Sequence, residues 1–299
     1  MPIRIATAPV SWGILEVEGW GKQRPYGEVL DEIVKAGYTG TELGPYGFLP
    51  TDPKQLKSEL AKRNLPLLGA FTPLPLAHAG QHDAALQSAM EVARLLAPAG
   101  AMLLVLADEM SSARMAVAGS VDEGRDGMNA SQWDGAARLL DRVARAGREL
   151  GLSSVFHHHC GTYIETPGEV ERLLAMTDPQ MLGLCLDTGH YVYGGGDPVD
   201  CARRHGKRIR HLHLKDVKPP VLERVRRERI PYLDAIRMGV FCELGQGGVN
   251  LTGVIHELTA AGFDGWAVFE QDVDPTQPGC NPLESATRSR NYLRKTVHL

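Results

Sequence analysis

The chain has 299 residues, of which 43% are hydrophobic and 23% charged, and its formal net charge is −4 at pH 7. This composition can supply a substantial buried core and excludes an intrinsically disordered chain. The acidic balance gives no general attraction to phosphates, and no apolar run is long enough to span a bilayer, so we expect neither a nucleic-acid nor a membrane partner. Five scattered cysteines without a C-x-x-C pair argue against a disulfide framework, and we expect a reducing, cytoplasmic location.

Short apolar runs rich in Val, Ile and Leu recur along the whole chain and predict eight strands. Near-continuous apolar strands, rather than alternating ones, are typical of a parallel sheet that is covered on both faces. The predicted strands are IRIATAPV (3–10), YTGTEL (38–43), LPLLGAF (65–71), AMLLVLA (101–107), SSVFHHH (153–159), GLCLDT (183–188), RIRHLHL (208–214) and WAVFEQ (266–271).

Amphipathic stretches lie between these runs and predict helices. Strands that alternate with helices through the chain indicate an α/β protein with a (β/α)8 TIM barrel, and we expect residues 1–299 to form a single domain of this kind. The predicted helices cover residues 27–37, 53–64, 83–97, 131–150, 167–177, 198–206 and 251–262, with a closing helix at 283–297.

Capping signals agree with this assignment. Asp52-Pro53, Thr166-Pro167 and Asp197-Pro198 each place a capping side chain before a proline at the first helical position, an arrangement typical of helix starts. Two stretches exceed a minimal repeat, namely residues 108–130 after the fourth predicted strand and residues 215–249 after the seventh. We interpret both insertions as lids or subunit contacts, because they follow the strand ends where barrel enzymes build their sites.

Ionisable residues collect at the carboxyl ends of the predicted strands. In a barrel these ends meet at one mouth, so side chains that are distant in sequence become neighbours. The group comprises Glu42, Asp108, Glu109, His157, His158, His159, Asp187, His190, His211, His213, Lys215, Asp216, Glu270 and Asp272.

Asp187, His213 and Glu270 follow the sixth, seventh and eighth predicted strands. Carboxylate oxygens with one imidazole suit Mn2+, Mg2+ or Co2+ better than a thiolate-preferring ion, so the three residues predict a metal site. A fourth ligand should come from the fifth strand, where the candidates are the histidines 157–159 and Glu165. We interpret His211 as a hydrogen-bonded core histidine, which is the usual role of a single histidine on a buried strand.

Five segments together resemble a known family. LCLDTGH (184–190), RHLHLKD (210–216), ELGQGGVN (243–250), WAVFEQD (266–272) and GTELG (40–44) resemble the sugar phosphate isomerase/epimerase family of xylose isomerase-like TIM barrels. Within that family the resemblance is closest to the inosose dehydratases, the 2-keto-myo-inositol dehydratases of inositol catabolism. It covers essentially the whole chain, and its motifs are more specific for the superfamily than for the substrate.

The resemblance implies one divalent ion, Mn2+ or Co2+ first and Mg2+ or Zn2+ as further options, held by Glu, Asp, His and Glu. Asp187, His213 and Glu270 match the last three ligand positions. Relatives commonly carry Glu-x-His at the end of strand five, where this chain has His157-His158-His159. Either Glu165 replaces the missing carboxylate or His157 replaces it as an imidazole ligand, and we assign Glu165.

Such an ion would chelate a ketone and a neighbouring hydroxyl, make the C–H between them acidic and stabilise the resulting enediolate. His190 and Lys215 are candidates for the acid or the hydroxyl-binding group, while His157, His159 or Glu270 is a candidate base.

We therefore expect a metal-dependent lyase that dehydrates a cyclic keto-polyol, with a metal-dependent isomerase or epimerase of a keto-sugar as the alternative. A DNA-repair endonuclease of similar fold would need a basic face that the net charge does not offer. A barrel that senses a polyol without converting it is the remaining option. By analogy with similar enzymes we expect a homo-oligomer, a dimer or tetramer.

Overall fold

The structure is a computed structural model that describes residues 3–14, 24–277 and 279–299. Seven parallel strands form one curled sheet in the order β1-β9-β6-β5-β4-β3-β2, and β7 and β8 form a small antiparallel pair. The strands are β1 (Arg4–Thr7), β2 (Gly69–Leu74), β3 (Leu103–Asp108), β4 (Ser153–His157), β5 (Leu182–Asp187), β6 (Ile209–Leu214), β7 (Asp216–Val217), β8 (Phe241–Cys242) and β9 (Trp266–Phe269).

The predicted strand at 38–43 is reduced to a bridge that closes the barrel. Thr41 pairs in parallel with Thr7 on one side and with Leu67 on the other. The N–H of Glu42 donates to the carbonyl of Thr7, and the N–H of Leu43 donates to that of Gly69. This segment therefore completes the hydrogen-bonded ring between β1 and β2, although it is too short to form a regular strand.

Helices surround the barrel and follow the strands as predicted. The main ones are α1 (Tyr26–Lys35), α2 (Pro53–Ala61), α3 (His82–Ala99), α6 (Ala130–Glu149), α7 (Pro167–Met176), α9 (Pro198–His205), α12 (Leu251–Ala260) and α13 (Pro282–Tyr292). Short helices that were not predicted are α4 (Ser112–Met115), α5 (Glu123–Asp126), α8 (Thr188–Tyr193), α10 (Pro219–Glu228) and α11 (Tyr232–Arg237). The (β/α)8 fold is thereby confirmed. No helix in the described ranges combines the length and the apolar character that crossing a membrane requires.

The predicted caps form at the starts of the helices. The Asp52 carboxylate accepts a hydrogen bond from the N–H of Gln55 at the start of α2, and Asp197 accepts one from Val199 at the start of α9. Thr166 and Glu169 form a reciprocal capping box at the start of α7. These caps fix where each helix begins and therefore how long the preceding loop at the barrel mouth is.

Because side chains alternate along each strand, polar residues at the strand ends point into the barrel. Val155 and Cys185 pack together in the interior, and residues two positions further along a strand face the same way. His157 and Asp187 occupy these positions at the ends of β4 and β5, and Asp187 pairs in register with His213 of β6. The apolar interior therefore ends in a polar layer at the carboxyl ends of the strands.

Candidate metal centre and active site

Four buried side chains from neighbouring strand ends bring their donor atoms to one point. His157, Asp187, His213 and Glu270 each offer one nitrogen or oxygen, and these atoms all lie within 4.8 Å of one another. Asp187 Oδ2 lies 3.5 Å from His157 Nε2 and 3.9 Å from His213 Nδ1. Glu270 Oε2 lies 3.2 Å from His213 Nδ1.

Three atoms of this donor cluster lack a hydrogen-bond partner among the described residues. They are His157 Nε2, Asp187 Oδ2 and His213 Nδ1, and each is buried from solvent. A buried polar atom without a partner costs about 1–3 kcal/mol. A bound cation would satisfy all three, and two imidazoles with two carboxylates form a donor set suited to Mn2+, Co2+ or Zn2+. The residues present therefore fit a divalent metal ion.

Glu165, which the sequence analysis assigns as a ligand, lies outside this donor cluster. Glu165 Oε1 accepts a hydrogen bond from the N–H of Gly119 at 2.6 Å, and its Oε2 accepts one from Gly161 at 2.7 Å. Both oxygens are thus engaged by backbone groups, and Glu165 belongs to no potential metal-binding group among the described residues. His157, which was the second of the two alternatives, occupies the position beside Asp187.

Lys215 lies beside the donor cluster and is surrounded by three carboxylates. Its Nζ is 3.5 Å from Asp187 Oδ2, 3.5 Å from Glu270 Oε2 and 3.1 Å from both carboxylate oxygens of Asp272. Burial alone would lower the pKa of Lys215, but these carboxylates raise it above its usual value, so the side chain is an ammonium ion. Burial likewise opposes ionisation of Asp187, yet the charge of Lys215 and the nearby imidazoles hold the pKa of Asp187 well below its usual value.

His190 accepts a further hydrogen bond from this ammonium. Lys215 Nζ lies 2.9 Å from His190 Nε2, and His190 Nδ1 lies 3.1 Å from the thiol sulfur of Cys160. Burial lowers the pKa of His190 well below its usual value, which keeps the ring neutral. A neutral ring that accepts at Nε2 carries its proton on Nδ1, where Cys160 can accept it.

His159 is a second neutral imidazole at the mouth of the barrel. Its Nδ1 lies 2.7 Å from the carbonyl oxygen of Cys160, which can only accept a hydrogen bond, so Nδ1 carries the proton. Burial lowers the pKa of His159 well below its usual value, and the ring is therefore neutral with its lone pair on Nε2. His159 also packs against His190, with the ring centroids 4.0 Å apart.

Three contributors to the site were not assigned a role from the sequence. Asp272 accepts from Lys215 and also from the hydroxyl of Tyr232, at 3.2 Å. Tyr232 lies within the 215–249 insertion, whose sequence gave no chemical signal. Glu42 stands at a predicted strand end and contacts His211 and His213. Asp272 could have been assigned to the site from the sequence, because it is a carboxylate only two residues after Glu270.

A cavity of about 370 Å³ opens over these groups at the carboxyl ends of the strands. Both polar and apolar side chains line it. The polar group includes Glu42, Asp108, His157, His159, Lys215, Glu270 and Asp272, and the apolar group includes Val10, Ile14, Phe71, Pro73, Met110, Leu233 and Ile236. Residues of both insertions contribute to the lining.

The chain resembles known proteins along its whole length. It matches the xylose isomerase-like TIM barrel family over residues 30–296. It is 31% identical to an inosose dehydratase of Lacticaseibacillus casei over 299 residues, which cover 100% of this chain and 99% of the relative. It is 33% identical to an inosose dehydratase of Geobacillus thermodenitrificans over 298 residues, which cover 99% and 98% of the two chains. The crystal structure of the IOLI protein with a bound zinc atom has a TM-score of 0.72 at 13% identity and covers 99% of this chain and 98% of that one, a similarity of fold alone.

Proposed function

The chain belongs to the xylose isomerase-like TIM barrel family, and from this premise we propose that it is a divalent-metal-dependent dehydratase of an inosose or a similar cyclic keto-polyol. The observation that carries the proposal is the convergence of buried, unpartnered donor atoms of His157, Asp187 and His213 beside the Lys215 ammonium. The inosose dehydratases that are 31–33% identical over almost the whole chain support the substrate class.

We assign the metal ligands as His157, Asp187, His213 and Glu270, with Mn2+ or Co2+ as the expected ion. A divalent ion bound there would act as a Lewis acid on the ketone oxygen and make the adjacent C–H more acidic. Asp187 and Glu270 also hold Lys215 through their charges. The two carboxylates are therefore both proposed metal ligands and neighbours of the Lys215 ammonium.

His159 and Lys215 are the proposed base and acid. The unprotonated Nε2 of His159 removes the proton from the carbon next to the ketone, while the next carbon loses its hydroxyl group. That hydroxyl takes a proton from Lys215 Nζ and leaves as water, and a carbon–carbon double bond forms between the two carbons. General acid and general base catalysis each contribute typically 10²–10⁴-fold to rate.

His190 and Asp272 position the ammonium for this transfer. Lys215 donates to both, at 2.9 Å and 3.1 Å, so its Nζ is held at one point of the inner cavity wall. The apolar side chains of the lining limit the water that reaches the reacting carbons, which favours release of the hydroxyl group over side reactions. A cavity of about 370 Å³ can enclose a six-membered polyol ring.

The test is an assay of the Mn2+-loaded and Co2+-loaded protein with 2-keto-myo-inositol. Dehydration produces an unsaturated ketone, so we expect ultraviolet absorbance to rise with time and to vanish after metal removal by a chelator. Asp187→Asn is expected to lose both bound metal and turnover. If this variant keeps full metal content and full turnover, the ligand assignment is wrong.

The same incubation in deuterated water distinguishes the isomerase or epimerase alternative. Such an enzyme would exchange the hydrogen next to the ketone without any rise in absorbance. Deuterium uptake without an unsaturated product, from this substrate or from a panel of open-chain keto-sugars, would replace the dehydratase assignment.

A further inference from the structure

Glu42 is a fully buried carboxylate on the short segment that closes the barrel. Its side chain is 2% exposed, and its backbone is fixed because the N–H donates to Thr7 and the carbonyl accepts from the Thr41 hydroxyl. It is absent from the donor cluster of His157, Asp187, His213 and Glu270, but its oxygen lies within 4.8 Å of ring nitrogens of His211 and His213 in a second group of possible ligands. A buried carboxylate needs partners of its own, and those of Glu42 are two imidazoles.

The two nitrogens of His213 face different partners. His213 Nε2 lies 3.1 Å from Glu42 Oε1, whereas His213 Nδ1 faces Glu270 Oε2 at 3.2 Å and Asp187 Oδ2 at 3.9 Å. An ionised carboxylate only accepts hydrogen bonds, so the nitrogen that contacts Glu42 carries a proton. Nδ1 is then the nitrogen that can bind a cation.

His211 fixes the carboxylate that His213 uses. His211 Nε2 lies 2.6 Å from the same oxygen, Glu42 Oε1. The two imidazoles stand almost perpendicular, with an angle of 74° between their planes. Their hydrogen bonds therefore reach Glu42 Oε1 from two directions, which restricts the rotation of its carboxylate.

We propose that Glu42 is a positioning residue that holds His213 with the proton on Nε2 and thereby presents Nδ1 to the metal ion. This inference rests on the proposed metal-dependent function. A carboxylate that accepts from the distal nitrogen of a metal-binding histidine sets its tautomer and ring orientation and makes it a more basic ligand. Glu42 would act through His213 without touching metal or substrate.

The first test reads the tautomer directly in the unaltered protein. Full-length protein with 15N-labelled histidine is loaded with Zn2+, which is diamagnetic, and the ring nitrogens of His213 are assigned by comparison with a His213→Gln variant. We expect the proton on Nε2 and a metal-shifted Nδ1. A proton on Nδ1 of zinc-bound His213 overturns the proposal without any need for a Glu42 variant.

The second test compares Mn2+ and Zn2+ affinity in Glu42→Leu, Glu42→Gln and His211→Gln by competition with a chelator. We expect Glu42→Leu to weaken binding about 10–100-fold, as is typical when the partner of a ligand histidine is removed. Glu42→Gln should lose less than about tenfold, because its amide oxygen still accepts from Nε2. His211→Gln is the matched control and should lose less than about threefold, because the bond from Glu42 to His213 remains.

The outcomes separate this inference from the function on which it rests. If the unaltered protein binds none of these ions, the metal centre itself is wrong, and the role of Glu42 with it. If it binds them and Glu42→Leu binds equally well, only the role of Glu42 is overturned. Should Glu42→Leu fail to fold, the tautomer measurement decides the matter, since a proton on Nδ1 of zinc-bound His213 overturns the role of Glu42 without any variant of that residue.

Discussion

Replacing Lys215 by Met should separate metal binding from turnover. The substitution removes the ammonium and keeps an unbranched side chain of similar length. Lys215 is 1% exposed and lies 3.5 Å from two proposed metal ligands, Asp187 and Glu270. Because the ammonium and the metal ion share these carboxylates, their positive charges compete. We expect Lys215→Met to bind the metal ion more tightly and yet to turn over slowly.

The distances set the size of both effects. Two unit charges 3.5 Å apart interact by about 1 kcal/mol in water and by about 5 kcal/mol at an effective dielectric constant of 20. In metal-free Lys215→Met the carboxylates of Asp187 and Glu270 lose the neighbouring ammonium. A bound metal ion would supply the missing positive charge, so metal binding becomes more favourable. A change of about 1.4 kcal/mol is tenfold in affinity, so even the lower value predicts that the metal Kd falls at least about fivefold. Loss of a general acid should lower kcat about 100-fold or more.

Calorimetric titration with Mn2+, thermal unfolding with and without metal, and the absorbance assay measure these effects. The rise in Tm on adding Mn2+ should be larger in Lys215→Met than in the unaltered protein. Lys207→Met is the matched control, because Lys207 is exposed at the opposite end of β6. Weaker metal binding in Lys215→Met, or retention of more than a tenth of the turnover, would refute the reasoning.

Further predictions concern the two alternative ligands His157 and Glu165, the pKa of Glu165 and one buried ion pair. His157→Ala should weaken Mn2+ binding at least tenfold, whereas Glu165→Gln should stay within about threefold; metal analysis after dialysis measures both, and the opposite order would restore Glu165 as the ligand. Burial raises the pKa of Glu165 from its usual 4.5 to about 7, so the folded protein keeps a proton that the unfolded chain releases, and stability falls as the pH rises through this interval. From pH 5 to pH 9 the free energy of unfolding of Glu165→Gln should therefore rise by about 3 kcal/mol relative to the unaltered protein, and a constant difference in urea unfolding would contradict this. Arg114 donates to both oxygens of Glu169 at 2.8 and 2.9 Å in a buried pair, so Arg114→Met should lower the free energy of unfolding by about 3–5 kcal/mol. Arg145 is exposed, and the control variant Arg145→Met should lower it by no more than about 1 kcal/mol. Equal losses in the two variants would argue against the stabilising role of the buried pair.

The sequence predicts the regular parts of the barrel because their signals are local. Helix α7 begins at Pro167 as expected, since its proline and its capping box lie within four residues of each other. Helix α10 also begins at a proline, Pro219, but its start has no side-chain cap. Arg226 of this helix donates to the backbone carbonyls of Gly119, in the segment after β3, and of Val192 and Tyr193, at the end of α8. Its position depends on contacts between distant segments, and no local pattern predicts them.

The same distinction applies to the proposed ligands. Asp187 and His213 are predictable as neighbours because strand register and side-chain alternation bring the ends of adjacent strands together. The choice between His157 and Glu165 depends on how the loop after β4 folds. Gly119, which belongs to a different loop, holds one oxygen of Glu165. The sequence shows that a carboxylate is missing at the end of the fifth strand. It cannot show that the oxygens of Glu165 already accept hydrogen bonds from the backbone.

Carboxylates at the mouth of this barrel differ in role because they differ in partners. Asp108 resembles Glu165 in that each of its oxygens accepts from a backbone N–H, those of Leu76 and Tyr163, and burial raises the pKa of each carboxyl to about 7. Such groups stabilise loops, and each of their oxygens already has a backbone partner. Asp187 instead uses one oxygen to cap the N–H of His190 and leaves the other without a hydrogen-bond partner among the described residues. A free, buried oxygen is stable only beside positive charge, and for that reason Asp187, rather than Asp108 or Glu165, is the carboxylate on which a bound cation would depend.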